Sequence, residues 1–215
     1  MTALSELERD AVTELANIGV SRAAASLRKM VGQQVMLSVP SVEVVSQKTA
    51  GALIAEREGN SLVAVQQEFA GAFSGRTMLI FPQAKSLELV RAIVGSEIAT
   101  SEAKDIEEEA LAETGNVILN GCLATMANIL HQPLSVSLPQ VKRGTGERLF
   151  QLDETSTDSG LVLFLYINFS ILDLDIRGYI AMLMDLPSLE KLKVLLAQFI
   201  ASVMDEQPDQ HSAPN

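Results

Sequence analysis

The chain of 215 residues has no tryptophan, one cysteine and two histidines, and aromatic residues make up only 4% of it. Its core must therefore be assembled from Leu, Ile, Val, Ala and Met. The single thiol, Cys122, cannot close an internal disulfide. It lies among Ala, Leu and Met in a helical stretch, and reads as a buried, reduced side chain in a reducing cytoplasm. His131 and His211 have no Cys or carboxylate cluster at ligand spacing, so no metal site is expected. Positive charge is scarce as well: 16 Lys and Arg against 27 Asp and Glu give a formal net charge of −11. That excludes the cationic face a nucleic-acid binder needs, and no basic block or polybasic helix suits an anionic membrane surface. The longest apolar run, Leu161 to Ile167, is too short to span a bilayer, and the N-terminus lacks the basic and apolar regions of a signal peptide. What these absences leave is an acidic cytoplasmic protein, 47% apolar, with enough material for one sizeable core.

Taken in order, the residues predict a helix over 5–30, opened by a Ser5/Glu8 capping box and ended by Gly32. Its apolar stripe is Leu7, Ala11, Leu15 and Ile18. Strands are expected at 34–39, closed by Pro40, at 52–55 and 61–69 around the turn Glu58-Gly59-Asn60, and at 77–81. A helix over 85–94 stops at Gly95. The order then repeats. A helix over 103–131 has acidic residues in its first turn (Asp105, Glu107, Glu108) and is ended by Pro133; a strand covers 134–138. A hairpin turn is read at 142–148, strands at 149–153, 161–171 and 176–184, and a last helix over 188–204. The polar, Pro-containing residues 206–215 read as a disordered tail. The expectation is an α+β fold of one domain, residues 1–205, made by internal duplication of a helix–strands–helix unit (about 5–97 and 103–205). Two layers are foreseen, long helices on one mixed or antiparallel sheet with a pseudo-two-fold axis.

Within the first helix Asp10, Glu14 and Asn17 lie four and three residues apart, hence on one face beside the apolar stripe. Adding 99 to each number gives Glu109, Glu113 and Asn116, and Pro40 maps in the same way onto Pro139. One such trio is what any solvated helix face can carry. Its return with every spacing intact, together with an Asn placed mid-helix where its propensity is poor, points to use. A carboxamide is neither acid, base nor nucleophile near neutral pH, but it can orient a water through one donor and one acceptor. A carboxylate one turn away offers a handle to a Lys or Arg. With no metal, phosphate cradle or nucleophile of its own, the pair makes sense as half a site that a partner completes. Gly144-Thr145-Gly146 beside Lys142 and Arg143 has no following helix to make it a phosphate loop, and reads as the hairpin turn.

The pattern acidic residue or Ser, three residues, Glu, two residues, Asn, twenty-two residues, Pro resembles the signature of the CheC family of chemotaxis phosphatases (CheC, CheX and the related part of FliY). It fits twice, with Glu-Leu-Ala-Asn-Ile-Gly at 14–19 and Glu-Thr-Gly-Asn-Val-Ile-Leu-Asn at 113–120, which looks more like two-site CheC than single-signature CheX. The resemblance implies a phosphatase acting on the aspartyl phosphate of a CheY-like receiver. Asn17 and Asn116 would orient the hydrolytic water, Glu14 and Glu113 would dock on the receiver's Lys, and Pro40 and Pro139 would shape the strand behind the helix. Mg²⁺ would come with the receiver, so the protein has no cofactor of its own. The alternative it implies is a non-catalytic adaptor that binds phosphorylated receivers or the deamidase CheD. The chain departs from the pattern at Glu109, where Asp or Ser is usual, and at Val20-Ser21-Arg22, where Arg22 lies about one turn beyond Asn17.

Overall fold

In the computed structural model, residues 4–94, 106–151, 160–171 and 174–205 are described. Helix α1 (Glu6–Val31) leads into β1 (Val35–Ser46), α2 (Gln47–Glu58), β2 (Leu62–Gly71), β3 (Gly75–Pro82) and α3 (Gln83–Val94). The second half runs α4 (Glu107–Ile129), β4 (Leu134–Val136), β5 (Gln140–Gly144), α5 (Gly146–Phe150), β6 (Leu161–Ile171), β7 (Leu174–Met184) and α6 (Leu186–Asp205). The seven strands form one antiparallel sheet in the order β1-β6-β7-β3-β2, with β4 and β5 following one another along the outer side of β2. Each half thus lends its first strand to the second strand of the other half. The order reads the same from either edge, so an approximate two-fold axis passes between β3 and β7. The two halves are interlocked within one sheet.

The ends of α1 are set by local chemistry. Ser5 Oγ accepts from the Glu8 amide and Glu8 Oε2 accepts from the Ser5 amide, the expected capping box. Gly32, at φ 68°, closes the helix in the left-handed conformation that a Cβ disfavours. The long helices α1, α3, α4 and α6 cover one face of the sheet. Leu15, Val20, Leu27, Ile118, Leu119, Leu123, Leu192 and Leu196 pack there on Val63, Val65, Leu79, Leu163, Leu165 and Ile180. α1 and α4 cross where Gly19 meets Gly121 and Cys122: a Cβ on Gly19 would stand 2.7 Å from Cys122 Cα and 2.9 Å from the Gly121 carbonyl oxygen. No described helix is long and apolar enough to cross a membrane.

The α+β class and the sheet shared between repeats hold; several local expectations do not. Residues 52–55 belong to α2 and are not a strand. Ser46 Oγ caps that helix by accepting from the Thr49 amide, and Ala50 and Ile54, one turn apart, are buried. Residues 142–148 are not a hairpin turn and 149–150 do not begin a strand: β5 continues to Gly144, Thr145 caps α5, and Leu149 and Phe150 are the buried apolar residues of that helix. α2 and α5 lie on the sheet face opposite the long helices, with Ile54, Leu149 and Phe150 against Leu62, Met78, Ile80 and Phe164. This thin second layer explains why 161–171 is a nearly unbroken apolar run. Leu163, Leu165 and Ile167 face the long helices, while Val162 and Phe164 face α2 and α5. β1 does not stop at Pro40 but runs on to Ser46, and the strand at 134–138 is only Leu134–Val136. The expected helix boundaries at Gly95 and Ala103, the end of the expected strand at 152–153, and the tail 206–215 lie outside the described residues.

Two predictions follow from the helix crossing. Gly19→Ala improves helix propensity but drives a methyl into the backbone of α4, so it is expected to lower stability by ~1–3 kcal/mol in a urea titration. Burial pushes the Cys122 thiol up to about 12. Iodoacetamide at pH 8 should therefore leave the folded protein unmodified and alkylate it once denatured.

Candidate functional site

Pro40 has no amide hydrogen to give to the β1–β6 ladder. The pairing accordingly slips by one residue between Ser38 and Ser41, leaving Val39 and Pro40 without ladder partners. Asn17, on the face of α1 above this break, supplies what the ladder lacks. Its Nδ2 donates to the Val39 carbonyl at 3.0 Å and its Oδ1 accepts from the Val39 amide at 2.8 Å. A carboxamide carries the same donor and acceptor as a peptide unit, so it can stand in for one. The interval between Asn17 and Pro40 is thus the distance from a helix position to the strand break it bridges. One Nδ2 hydrogen and one Oδ1 lone pair of Asn17 are left over.

Glu14 lies one turn before Asn17, and Asp10 one turn before that; both are exposed. Among the described residues neither has a hydrogen-bond or ion-pair partner. Arg22, one turn beyond Asn17, reaches across to α4, where its Nη1 lies 3.4 Å from Thr125 Oγ1.

The second set is built on the opposite edge of the sheet, and differently. β4 ends at Val136 and β5 begins at Gln140, so Pro139 again sits in a strand break. Asn116 does not reach the residue before the proline. Its Oδ1 accepts from Gln67 Nε2 at 3.0 Å and from Asn120 Nδ2 at 2.8 Å. Gln67 spends its other Nε2 hydrogen on the Ser137 carbonyl at 2.9 Å. Ser137 in turn accepts from the Glu68 amide through Oγ and donates its own amide to the Glu68 carbonyl. Gln67 therefore stands between the helix and the strand break, where the first copy has direct contact. Gly115 permits the close approach, since a Cβ there would fall 2.5 Å from the Val65 side chain. Leu138, the counterpart of Val39, is displaced outward: Val39 is 2% exposed and Leu138 85%. The Asn116 oxygen has both lone pairs occupied, and its Nδ2 has no acceptor among the described residues.

The acidic residues of α4 divide by role. Glu107 accepts from Ser86 Oγ and pairs with Arg143 at 3.4 Å, and Glu108 pairs with Arg143 at 3.5 Å. Glu109 and Glu113 are exposed and have no such partner among the described residues. All eight residues expected from the sequence thus lie in two patches, one at each edge of the sheet. Gln67, Asn120 and Ser137 were not foreseen. Gln67 had a signal: in the alternation Val63, Val65, Gln67, Phe69 it is the polar residue on an inward face. Among the described residues no group of three or more His, Cys, Asp or Glu is placed to hold a metal ion.

Such a patch has a cation acceptor, an amide with hydrogen-bonding capacity to spare, and no nucleophile. The sequence model of the CheC-like family matches residues 7–44, which span α1 and most of β1. The chain is 26% identical over 157 residues to the flagellar motor switch phosphatase FliY of Bacillus subtilis, a match covering 72% of this chain and 39% of that protein. It is 23% identical over 208 residues to the CheY-P phosphatase CheC of the same organism, covering 90% and 95%. The crystal structure of Thermotoga maritima FliY shares the fold, with a TM-score of 0.70, 20% identity, and coverage of 93% of this chain and all of that one.

The two kinds of site residue should separate in a stability measurement. Asn17→Ala strands both polar groups of Val39 beneath α1 and is expected to cost ~2 kcal/mol by urea denaturation. Glu14→Gln, at an exposed and unpartnered position, should stay within ~0.5 kcal/mol of the parent.

Proposed function

We propose that this chain, which belongs to the CheC-like family, hydrolyses the aspartyl phosphate of a CheY-like receiver domain. The observation that carries the reading is the repeated placement of a bare carboxylate one helical turn before an amide anchored at a strand break. Relatives of this chain bear the names CheY-P phosphatase and motor switch phosphatase. A free carboxylate such as Glu14 or Glu113 is suited to a receiver lysine, and Asp10 and Glu109 extend the acidic strip on the same helix face. The receiver would bring the phosphorylated aspartate and the Mg²⁺ that neutralises charge on the transferring group. The chain's own share is positioning: Asn17 or Asn116 holds a water in line with the phosphorus. The water oxygen forms the new bond to phosphorus, the bond to the aspartate oxygen breaks, and inorganic phosphate and a free carboxylate result.

The two patches, on opposite edges of the sheet, offer a receiver two docking positions. Net charge of −11 gives no steering toward an acidic receiver pocket, so affinity rests on short-range contacts, and binding is weak and transient.

A second reading has its own support. Both asparagines are hydrogen-bonded within the chain, Asn17 through donor and acceptor alike, which is how a purely structural residue is used. On that reading the patches bind a phosphorylated receiver, or the deamidase CheD, without turnover.

The lifetime of a phosphorylated receiver, measured with substoichiometric protein, separates the two. The phosphatase reading expects a shortened lifetime with multiple turnovers, and loss of most of the effect in Glu14→Arg/Glu113→Arg. That variant reverses both docking charges at exposed positions and leaves the folding contacts alone. An unchanged lifetime with retained binding would sink the phosphatase and leave the adaptor.

A further inference from the structure

The two copies are built on the same plan but leave different chemistry at the surface, and the difference traces to Gln67. On β6 the face toward the long helices reads Leu163, Leu165, Ile167, Phe169, all buried in the main core. On β2 the same face reads Val63, Val65, Gln67, Phe69, with Gln67 only 1% exposed. An aliphatic residue fits this position in one half, while the other half carries an amide whose Oε1 is buried and has no donor among the described residues. A buried acceptor left without a partner weakens the fold, so an apolar residue would serve stability better. Both hydrogens of Gln67 Nε2 are used, one on Asn116 Oδ1 and one on the Ser137 carbonyl.

We infer that Gln67 is a positioning residue for the second site. Together with Asn120 it saturates the oxygen of Asn116 and so fixes which end of that amide is available. Asn116 then presents only N–H donors, whereas Asn17 keeps one donor and one lone pair. A water held by Asn116 is gripped through its oxygen, with that oxygen's remaining lone pair left for attack. The two sites are therefore unequal in how they hold water, with the second pre-organised and the first partly committed to holding β1. This rests on the phosphatase reading for its use, though not for its geometry.

The test replaces Gln67 with the residue found at the matching place in the other half, Gln67→Ile, in protein whose first site is disabled by Glu14→Arg. Two readouts are taken. In the ¹H–¹⁵N spectrum, the Asn116 side-chain amide pair, identified by its absence in Asn116→Ala, should move and broaden when Gln67 is replaced. In receiver dephosphorylation, kcat should fall about tenfold with KM unchanged, while the melting temperature stays level or rises. An unmoved Asn116 amide pair overturns the inference whatever the activity does. An unchanged kcat in the Glu14→Arg background, or a fall in kcat that follows a fall in melting temperature, overturns it too. If the parent protein shortens no receiver's lifetime, the phosphatase reading is what fails, and the spectrum still decides whether Gln67 holds Asn116.

Discussion

A proline inside a sheet removes one amide hydrogen from the ladder, and the neighbouring residue must find partners elsewhere. In this protein the missing partners come from the helix above. Pro40 makes β1 slip by one residue against β6, Val39 loses its ladder contacts, and the Asn17 carboxamide takes the place of the absent peptide unit. That contact ties α1 to the edge of the sheet and sets the helix's rotation about its own axis. With Asn17 turned down toward the strand, Glu14 and Asp10, one and two turns earlier, are carried on the same edge and left in solvent. The exposed acids are where they are because the amide beneath them is occupied.

The second copy shows what happens when the same device diverges. Its proline also sits in a strand break, but Gln67 has entered between helix and strand, and the residue before the proline has moved from the core to the surface. Both arrangements keep an Asn anchored and a Glu bare. They differ in what the Asn can still do, because one amide spends a donor and an acceptor on backbone and the other spends only its acceptor. Under the proposed reading, this is the physical basis for unequal sites within a nearly symmetric scaffold. The scaffold is held together by contacts separate from the two patches: glycines at the α1–α4 crossing let these helices touch backbone to backbone, and the exchanged edge strands tie each half to the other.

Much of this was legible in the residues. Capping box and glycine stop located α1 to within a residue or so, because each acts within a single turn of the chain. The stripe Leu7, Ala11, Leu15 and Ile18 did not hold: Leu7 is 61% exposed, and the helix instead turns Val12, Leu15, Ala16, Val20 and Leu27 into the core. The recurrence of Asp10, Glu14, Asn17 and Pro40 at Glu109, Glu113, Asn116 and Pro139 revealed the duplication and both patches, because spacing along a helix is a local quantity. α2 and α5 were misread as strand and turn. Their few small or apolar residues carry little periodic signal, and they are helical because Ser46 and Thr145 cap them and the far face of the sheet needs covering.

By itself, then, the sequence determined which residues form the long helices, that the unit occurs twice, and which acids and amides share a helix face. Only the tertiary structure decided that the halves exchange their edge strands, that a thin helical layer backs the sheet, and that Asn17 meets Val39 where Asn116 meets Gln67. The reason is the range of the forces involved. Helix caps and side-chain spacing are settled between residues a few positions apart. The strand partners of the two half-buried amides lie 22 residues away for Asn17 and 49 for Asn116, and are set by how the sheet closes.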